Sequence, residues 1–263
     1  MTPESEESTT GTFSSQPSTR ASYEDMLRRR LPPLLSIIAG MVDAIGYLTL
    51  KIFVAHVTGN IVVIAAQLVY REPSPKLDQI LAVPVFMLAV AGVWFIAQAL
   101  NKRELDLSRP LLLMQFLLLC CVMILAVVFH VGDDPRGLFS DVVAMIAISA
   151  MACQFSLLQL AMPGAPSTAV MTGNLTKAVL AFLETATERQ PLIADSSKQL
   201  KEALAQVLGF FVGCLLGAAA VSMLGDWAWI LPASMAAFAL VATPRPATEN
   251  GRTSRANPPE NKT

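Results

Sequence analysis

Charge is what this chain has least of. Asp, Glu, Lys and Arg make up 15% of its 263 residues, against roughly a quarter in an ordinary soluble domain. The formal net charge is −1, and no Lys/Arg-rich face alternates with aromatic residues. A nucleic-acid partner is therefore excluded. Histidine is scarcer still, with two residues, His56 and His130. The four cysteines, Cys120, Cys121, Cys153 and Cys214, all fall inside apolar runs, and none forms a Cys-x-x-Cys pair. That pattern suits small core residues and excludes a disulfide frame or a zinc site. Neither Gly-x-Ser-x-Gly nor His-Glu-x-x-His occurs, and no spacing joins His56 to Ser36 as a catalytic dyad. The sequence thus points away from an enzyme and calls for no cofactor or metal.

What the chain has instead is long apolar runs. Hydrophobic residues make up 54% of it. Five runs of 19–22 residues stand out: Pro32–Leu50, Leu81–Leu100, Leu111–Val131, Val142–Met162 and Ala203–Leu224. About 20 apolar residues at 1.5 Å rise span a ~30 Å hydrocarbon core. A buried helix of a soluble protein keeps a polar stripe. "LLLMQFLLLCCVMILAVVFHV" has none. Three shorter runs, Val57–Tyr70, Ala169–Leu183 and Trp227–Ala242, hold 14, 15 and 16 residues, marginal for a crossing. The expected fold is an all-α polytopic membrane helix bundle of six to eight segments in the lipid bilayer, built from two homologous halves.

Residues 1–30 and 243–263 are expected to be disordered cytoplasmic tails, and 31–242 the membrane domain. The N-terminal tail lacks the apolar core of a signal peptide. Arg28, Arg29 and Arg30 abut the first apolar run and place the N-terminus on the cytoplasmic side of the cell membrane. With eight crossings, 14 Lys/Arg lie inside and four outside. If the two short runs that begin near Thr-Gly-Asn dip in and return, six segments cross and the tally is 15 against four. Charge bias puts both termini inside either way. The sequence reading leans to the short runs crossing or nearly crossing.

Thr58-Gly59-Asn60 recurs as Thr172-Gly173-Asn174, 114 residues on. Each copy follows a long apolar run and opens a short one. Upstream of the first lies Asp43 in "AGMVDAIG", and upstream of the second Gln154 in "AMACQFSL". Downstream, "AVAGVWFIAQAL" is similar to "FFVGCLLGAAAV", aligning Gly92 with Gly213. The halves then run over about 32–131 and 142–242. They are parallel if eight runs cross and inverted if six do. "GMVDAIGYL…FVAHVTGN" with a second "TGNLTKAVLAF" resembles the YoaK family of uncharacterised multi-pass membrane proteins. The resemblance covers most of 31–242 and implies an integral protein of the cytoplasmic membrane, with no activity to carry over. The long Ser/Thr-rich first tail and three extra residues before the second Thr-Gly-Asn depart from that pattern.

A helix that starts inside a membrane leaves its first N–H groups bare, at several kcal/mol each. Thr and Asn side chains can cap them, Gly lets another group approach, and the helix dipole favours an anion. The competing reading has Thr58 and Thr172 capping ordinary helices at the water interface. Asp43 lies near the centre of the first run, where an ionised carboxylate costs about 2.5–3.5 kcal/mol unless paired. Lys177 is the other deep charge, and the two are expected to face each other across the repeat interface. His56 is a candidate proton-handling or capping residue. The candidate solute-binding set is therefore Asp43, His56, Thr58, Gly59, Asn60, Gln154, Thr172, Gly173, Asn174 and Lys177. Gln67, Gln98, Gln115, Gln154, Gln159 and Gln206 are expected to bond between helices. Gly209, Gly213 and Gly217 form a small-residue ridge for close packing, within one molecule rather than between two copies. Trp227 and Trp229 read as an interfacial belt. Two functions follow. The first is a transporter for a small solute or anion, with a midplane cavity joining Asp43, Asn60, Gln154 and Asn174. The second is a membrane scaffold or sensor, with those side chains tied up in hydrogen bonds.

Overall fold

The computed structural model describes residues 19–70, 77–103, 106–162, 171–187 and 196–243. Among them there is no strand. The helices are α1 (Thr19–Leu50), α2 (Gly59–Tyr70), α3 (Leu77–Asn101), α4 (Ser108–Phe129), α5 (Leu138–Ala161), α6 (Met171–Thr187), α7 (Ser196–Leu224) and α8 (Ile230–Ala242). A short 3₁₀ turn, Gly225–Trp229, joins α7 to α8. The tails fall largely outside the described residues. Helix α1 begins at Thr19, within the stretch assigned from sequence to the first tail.

Five stretches are long and apolar enough to cross a membrane, and the longest, Ser197–Ala242, contains both α7 and α8. Burial separates the helices into inner and outer ones. Of the most apolar 18 residues, 67% are buried in α1 and 72% in α5, but only 17% in α3 and in the α7–α8 stretch. Leu88, Phe95, Met223 and Val241 lie on the outside, each more than 60% exposed. The outer helices are therefore apolar on the faces they turn away from the protein, as hydrocarbon requires. In water, such a surface would be far larger than the few hundred Å² that soluble monomers tolerate.

The main seam of the bundle joins α1 to α7. A methyl added at Gly213 would overlap the Ile37 carbonyl, and one at Gly40 would overlap the Phe210 carbonyl. At Gly217 it would reach 2.9 Å from the Met41 carbonyl oxygen, and at Gly209 3.0 Å from that of Pro33. Contacts climb together along the two chains, 209 with 33, 213 with 37, 217 with 41, so α1 and α7 are parallel. The glycine ridge packs within the molecule, as its sequence suggested. Bare backbones in contact give dispersion and Cα–H···O contacts that larger residues would block. Trp229, expected at the interface, is fully buried, whereas Trp227 is 55% exposed. The short 3₁₀ turn points one indole inward and leaves the other outside.

Cross-links fix the ends of the bundle. Gln79, at the start of α3, donates from Nε2 to the Lys51 carbonyl at 3.0 Å. The Gly132 N–H, just after α4, donates to Asp226 Oδ1 at 3.0 Å. Arg109, at the start of α4, donates to the Thr243 carbonyl at 3.0 Å, just past α8. The end of α1, the start of α3, the α4–α5 turn and the α7–α8 turn thus share one end of the bundle. The start of α4 and the end of α8 share the other. Helix α2 lies between α1 and α3, which meet at the same end, so it returns to the end it left.

Glycine substitutions test the seam. Gly213→Ala should destabilise the protein in detergent by about 1–3 kcal/mol, the usual range for overpacking. Gly92→Ala, where the added methyl meets nothing within 4 Å, should be neutral or slightly stabilising. Equal losses of unfolding temperature for the two variants would contradict the seam.

Candidate functional site

Helix α1 ends at Lys51, which holds a left-handed backbone with φ 60°. The Lys51 N–H reaches the Tyr47 carbonyl at 3.2 Å, the 5→1 bond of a left-handed helix cap, and the Ile52 N–H reaches back to the Gly46 carbonyl at 3.4 Å. The chain then descends alongside α1 as irregular backbone. Ile52, Val54, Ala55 and Val57 are all buried. A Cβ at Gly46 would come 3.2 Å from the Ile52 carbonyl oxygen, so glycine lets the descending strand lie against the helix.

Buried backbone without a ladder needs other partners, and Asp43 supplies them. Its Oδ1 accepts the N–H groups of Val54 at 2.9 Å, Ala55 at 2.7 Å and His56 at 3.3 Å. Its Oδ2 pairs with His56 Nδ1. A carboxylate is acceptor-only, so in this arrangement Nδ1 carries the proton. The edge of the His56 ring meets Phe210 of α7, with ring centroids 5.0 Å apart. Asp43 is eight residues below Lys51, or ~12 Å along the axis. The loop therefore reaches about that depth before turning.

The turn leads into α2. The Gly59, Asn60 and Ile61 N–H groups donate to the carbonyls of His56, Val57 and Thr58. Asn60 does not cap these donors as expected. Its side chain spans the hairpin, accepting from the Phe53 N–H at 2.9 Å and donating to the Phe53 carbonyl at 2.8 Å. Phe53 stacks on Tyr47, with centroids 4.8 Å apart, and Gly59 makes room for the Phe53 ring, whose Cδ2 would lie 3.1 Å from a Cβ there. Thr58 is exposed.

The second Thr-Gly-Asn sits differently. Helix α6 begins at Met171, so Thr172, Gly173 and Asn174 form its first turn. Thr172 is exposed, and its carbonyl accepts the Thr176 hydroxyl at 3.0 Å. Asn174 is buried and donates to Gln206 Oε1 of α7 at 2.9 Å. The Gln206 carbonyl takes the Ser36 hydroxyl at 2.6 Å. At a similar level of α1, Gln154 donates to the Leu35 carbonyl at 2.9 Å and accepts from Gln115 at 2.8 Å. Gln115, Gln154 and Gln206 thus bond between helices as expected, while Gln98 and Gln159 are exposed.

The proposed facing of Asp43 and Lys177 does not occur. Asp43 is occupied by the loop, and Lys177 is exposed on α6. Among the described residues, Asp43, Asn60, Gln154 and Asn174 do not share one of the clefts found. All four are at most 5% exposed and hydrogen-bonded, and neither of the two clefts described is lined by them. Of the candidate set, the structure gathers Asp43, His56, Gly59 and Asn60 around the backbone of residues 53–56, which the sequence did not single out. Among the described residues, no group of three His, Cys, Asp or Glu could hold a metal ion.

Asp43→Ala should strand three buried N–H groups, at about 1–3 kcal/mol each. Asp43→Asn keeps the accepting oxygen. The alanine variant should therefore lose much more unfolding temperature in detergent than the asparagine one, and equal losses would show that the carboxylate is not what holds the loop.

Neither the curated proteins nor the solved structures contain a match to this chain. A family model does match, over residues 31–242, and its description is "Protein of unknown function (DUF1275)". A match over so much of the chain settles the relationship: the protein is a member of the DUF1275 family.

Proposed function

We propose that the protein is a transporter for a small solute, with residues 31–242 as its membrane domain and two halves of inverted topology, α1–α4 and α5–α8. The carrying observation is the buried, irregular backbone of residues 52–58, which descends to Asp43 and returns through α2 to the end it left. Non-helical backbone at membrane depth is tolerated where protein buries it or a water-filled path runs beside it. Broken helices of this kind form the solute sites of inverted-repeat transporters.

The packing supports the inversion. Helix α1 of the first half packs on α7 of the second, and α3 packs on α5, the same pair with the halves exchanged. Helix α6 packs on α7 and meets it at Asn174–Gln206; Ala178 and Ala181 of α6 and Ala203 of α7 are all buried. That register carries α6 toward the start of α7, as α2 is carried toward the start of α3. Six helices then cross the cell membrane, and two short ones enter it from opposite faces. The tails lie on the cytoplasmic side, following the arginine cluster at residues 28–30. The reading assigns the chain no catalytic chemistry.

One observation favours a second reading, a scaffold or sensor that transports nothing. Asp43, Asn60, Gln154 and Asn174 are buried and bonded, so a transporter has to open the bundle to reach them, and a scaffold does not. Cysteine labelling with an impermeant thiol reagent, in a background without native cysteines, separates the readings. Leu77→Cys and Asp134→Cys should react only from the outer face, opposite the arginine cluster at residues 28–30, and Lys102→Cys only from the cytoplasmic face. Reaction of Leu77→Cys from the cytoplasmic face would remove the re-entrant path. Ala55→Cys should react slowly, at a rate that changes in the presence of solute. Complete protection of Ala55→Cys under all conditions would favour the scaffold.

A further inference from the structure

The end of the bundle where α2 returns holds a cleft of ≈ 480 Å³. Its walls include Tyr47, Lys51, Gln67, Gln79, Asp134 and Arg136. Tyr47 and Lys51 stand one and two helical turns above Asp43 on the same face of α1. The Tyr47–Phe53 stack thus lies between the cleft and the Asp43–His56 pair.

Two features of these walls call for a ligand. The first is unpaired positive charge. Lys51 Nζ donates only to the Leu48 carbonyl at 3.2 Å. Among the described residues, no carboxylate lies within ion-pair distance of Lys51 or Arg136. Lys51 also stands at a left-handed position, where glycine would cost less. The second is unpaired acceptor oxygen. Gln79 is 2% exposed, and with Nε2 committed to the Lys51 carbonyl its Oε1 has no partner. Gln67 Oε1 also lacks one. Leaving a buried acceptor unmet costs about 1–3 kcal/mol. Asp134 adds a carboxylate, whose Oδ1 accepts the Arg136 N–H at 3.3 Å and keeps further lone pairs.

We infer that this cleft binds a small zwitterion of the amino-acid type. Its carboxylate lies between Lys51 and Arg136, and its ammonium donates to the oxygens of Gln67, Gln79 and Asp134. An anion without a donor would leave the glutamine oxygens bare, and a dianion would meet Asp134. The inference rests on the transport reading for the ligand's destination. Binding itself requires no transport.

Calorimetric titration of the full chain in a non-ionic detergent, free of lipid carboxylates, tests it. The probes are L-glutamine and L-leucine, with acetate and inorganic phosphate for comparison. At least one amino acid should bind at least tenfold more tightly than acetate or phosphate. Lys51→Gln and Arg136→Gln should each weaken that binding about three- to tenfold, the range expected for losing one charge-assisted contact at a partly solvated site. Lys102→Gln, at the opposite end of the bundle, should leave it unchanged. Three results would each overturn the inference: no amino acid binding, acetate or phosphate binding as well as the amino acids, or binding indifferent to both cleft substitutions. If binding behaves as expected but vesicles holding the protein take up none of the bound amino acid, the cleft stands and the transport reading falls.

Discussion

A polypeptide that leaves its helix inside a bundle has to find a partner for every backbone amide it uncovers. Here one carboxylate does most of that. Asp43 gathers three consecutive N–H groups and an imidazole, and Asn60 closes the strand below Lys51 by pairing with both polar groups of Phe53. The cost of a charge in a low-dielectric interior and the cost of bare amides are each large alone. Set against each other, they largely offset. The direction of α2, the meeting of α1 with α3 and the cleft above Tyr47 all depend on this arrangement.

Two regions of the bundle, one around each Thr-Gly-Asn, meet the same problem with different chemistry. In the first, a charged side chain binds backbone. In the second, neutral amides and a hydroxyl do the pairing: Gln115 with Gln154, Gln154 with the Leu35 carbonyl, Asn174 with Gln206, and Ser36 with the Gln206 carbonyl. The neutral set draws on α1, α4, α5, α6 and α7 and so ties five helices together. The charged set is mostly local to α1 and its loop, with the Phe210 ring packed against His56 from α7. A loop anchored mainly to its own helix can move with fewer interhelical bonds broken. A network shared among five helices resists movement.

Much of this was legible in the residues. Run lengths and all-round apolarity specify membrane helices, because hydrocarbon thickness sets a length scale. The four-residue spacing of Gly209, Gly213 and Gly217 specifies a close seam, because i and i+4 share a helix face. Asp43, His56 and Asn60 were chosen because polar groups deep in apolar runs need a reason. The rest was hidden for physical reasons. Runs of 14 and 15 residues suit a thin crossing and a deep return alike, and the arginine and lysine tally is nearly the same for both. Asp43's partners are mostly backbone N–H groups, which every residue except proline carries and no sequence pattern marks. Lys177 looked like its counter-charge by depth alone. Depth along the chain does not give rotation about the helix axis, and that rotation turns Lys177 outward. Trp229 was misplaced because a short 3₁₀ turn rotates successive residues by a different angle from an α-helix.

The parallel seam between α1 and α7 also has a consequence in time. Ser36 meets its acceptor on Gln206 across 170 residues of chain. At a translation rate of about 5–20 residues per second, roughly ten to thirty seconds separate the synthesis of the two. Through that interval the first helix waits with its Gly40 face uncovered and the Ser36 hydroxyl without its acceptor. Asp43, by contrast, finds its amides within 13 residues, almost as soon as they emerge. The charged group that lipid tolerates least is the one whose partners arrive first.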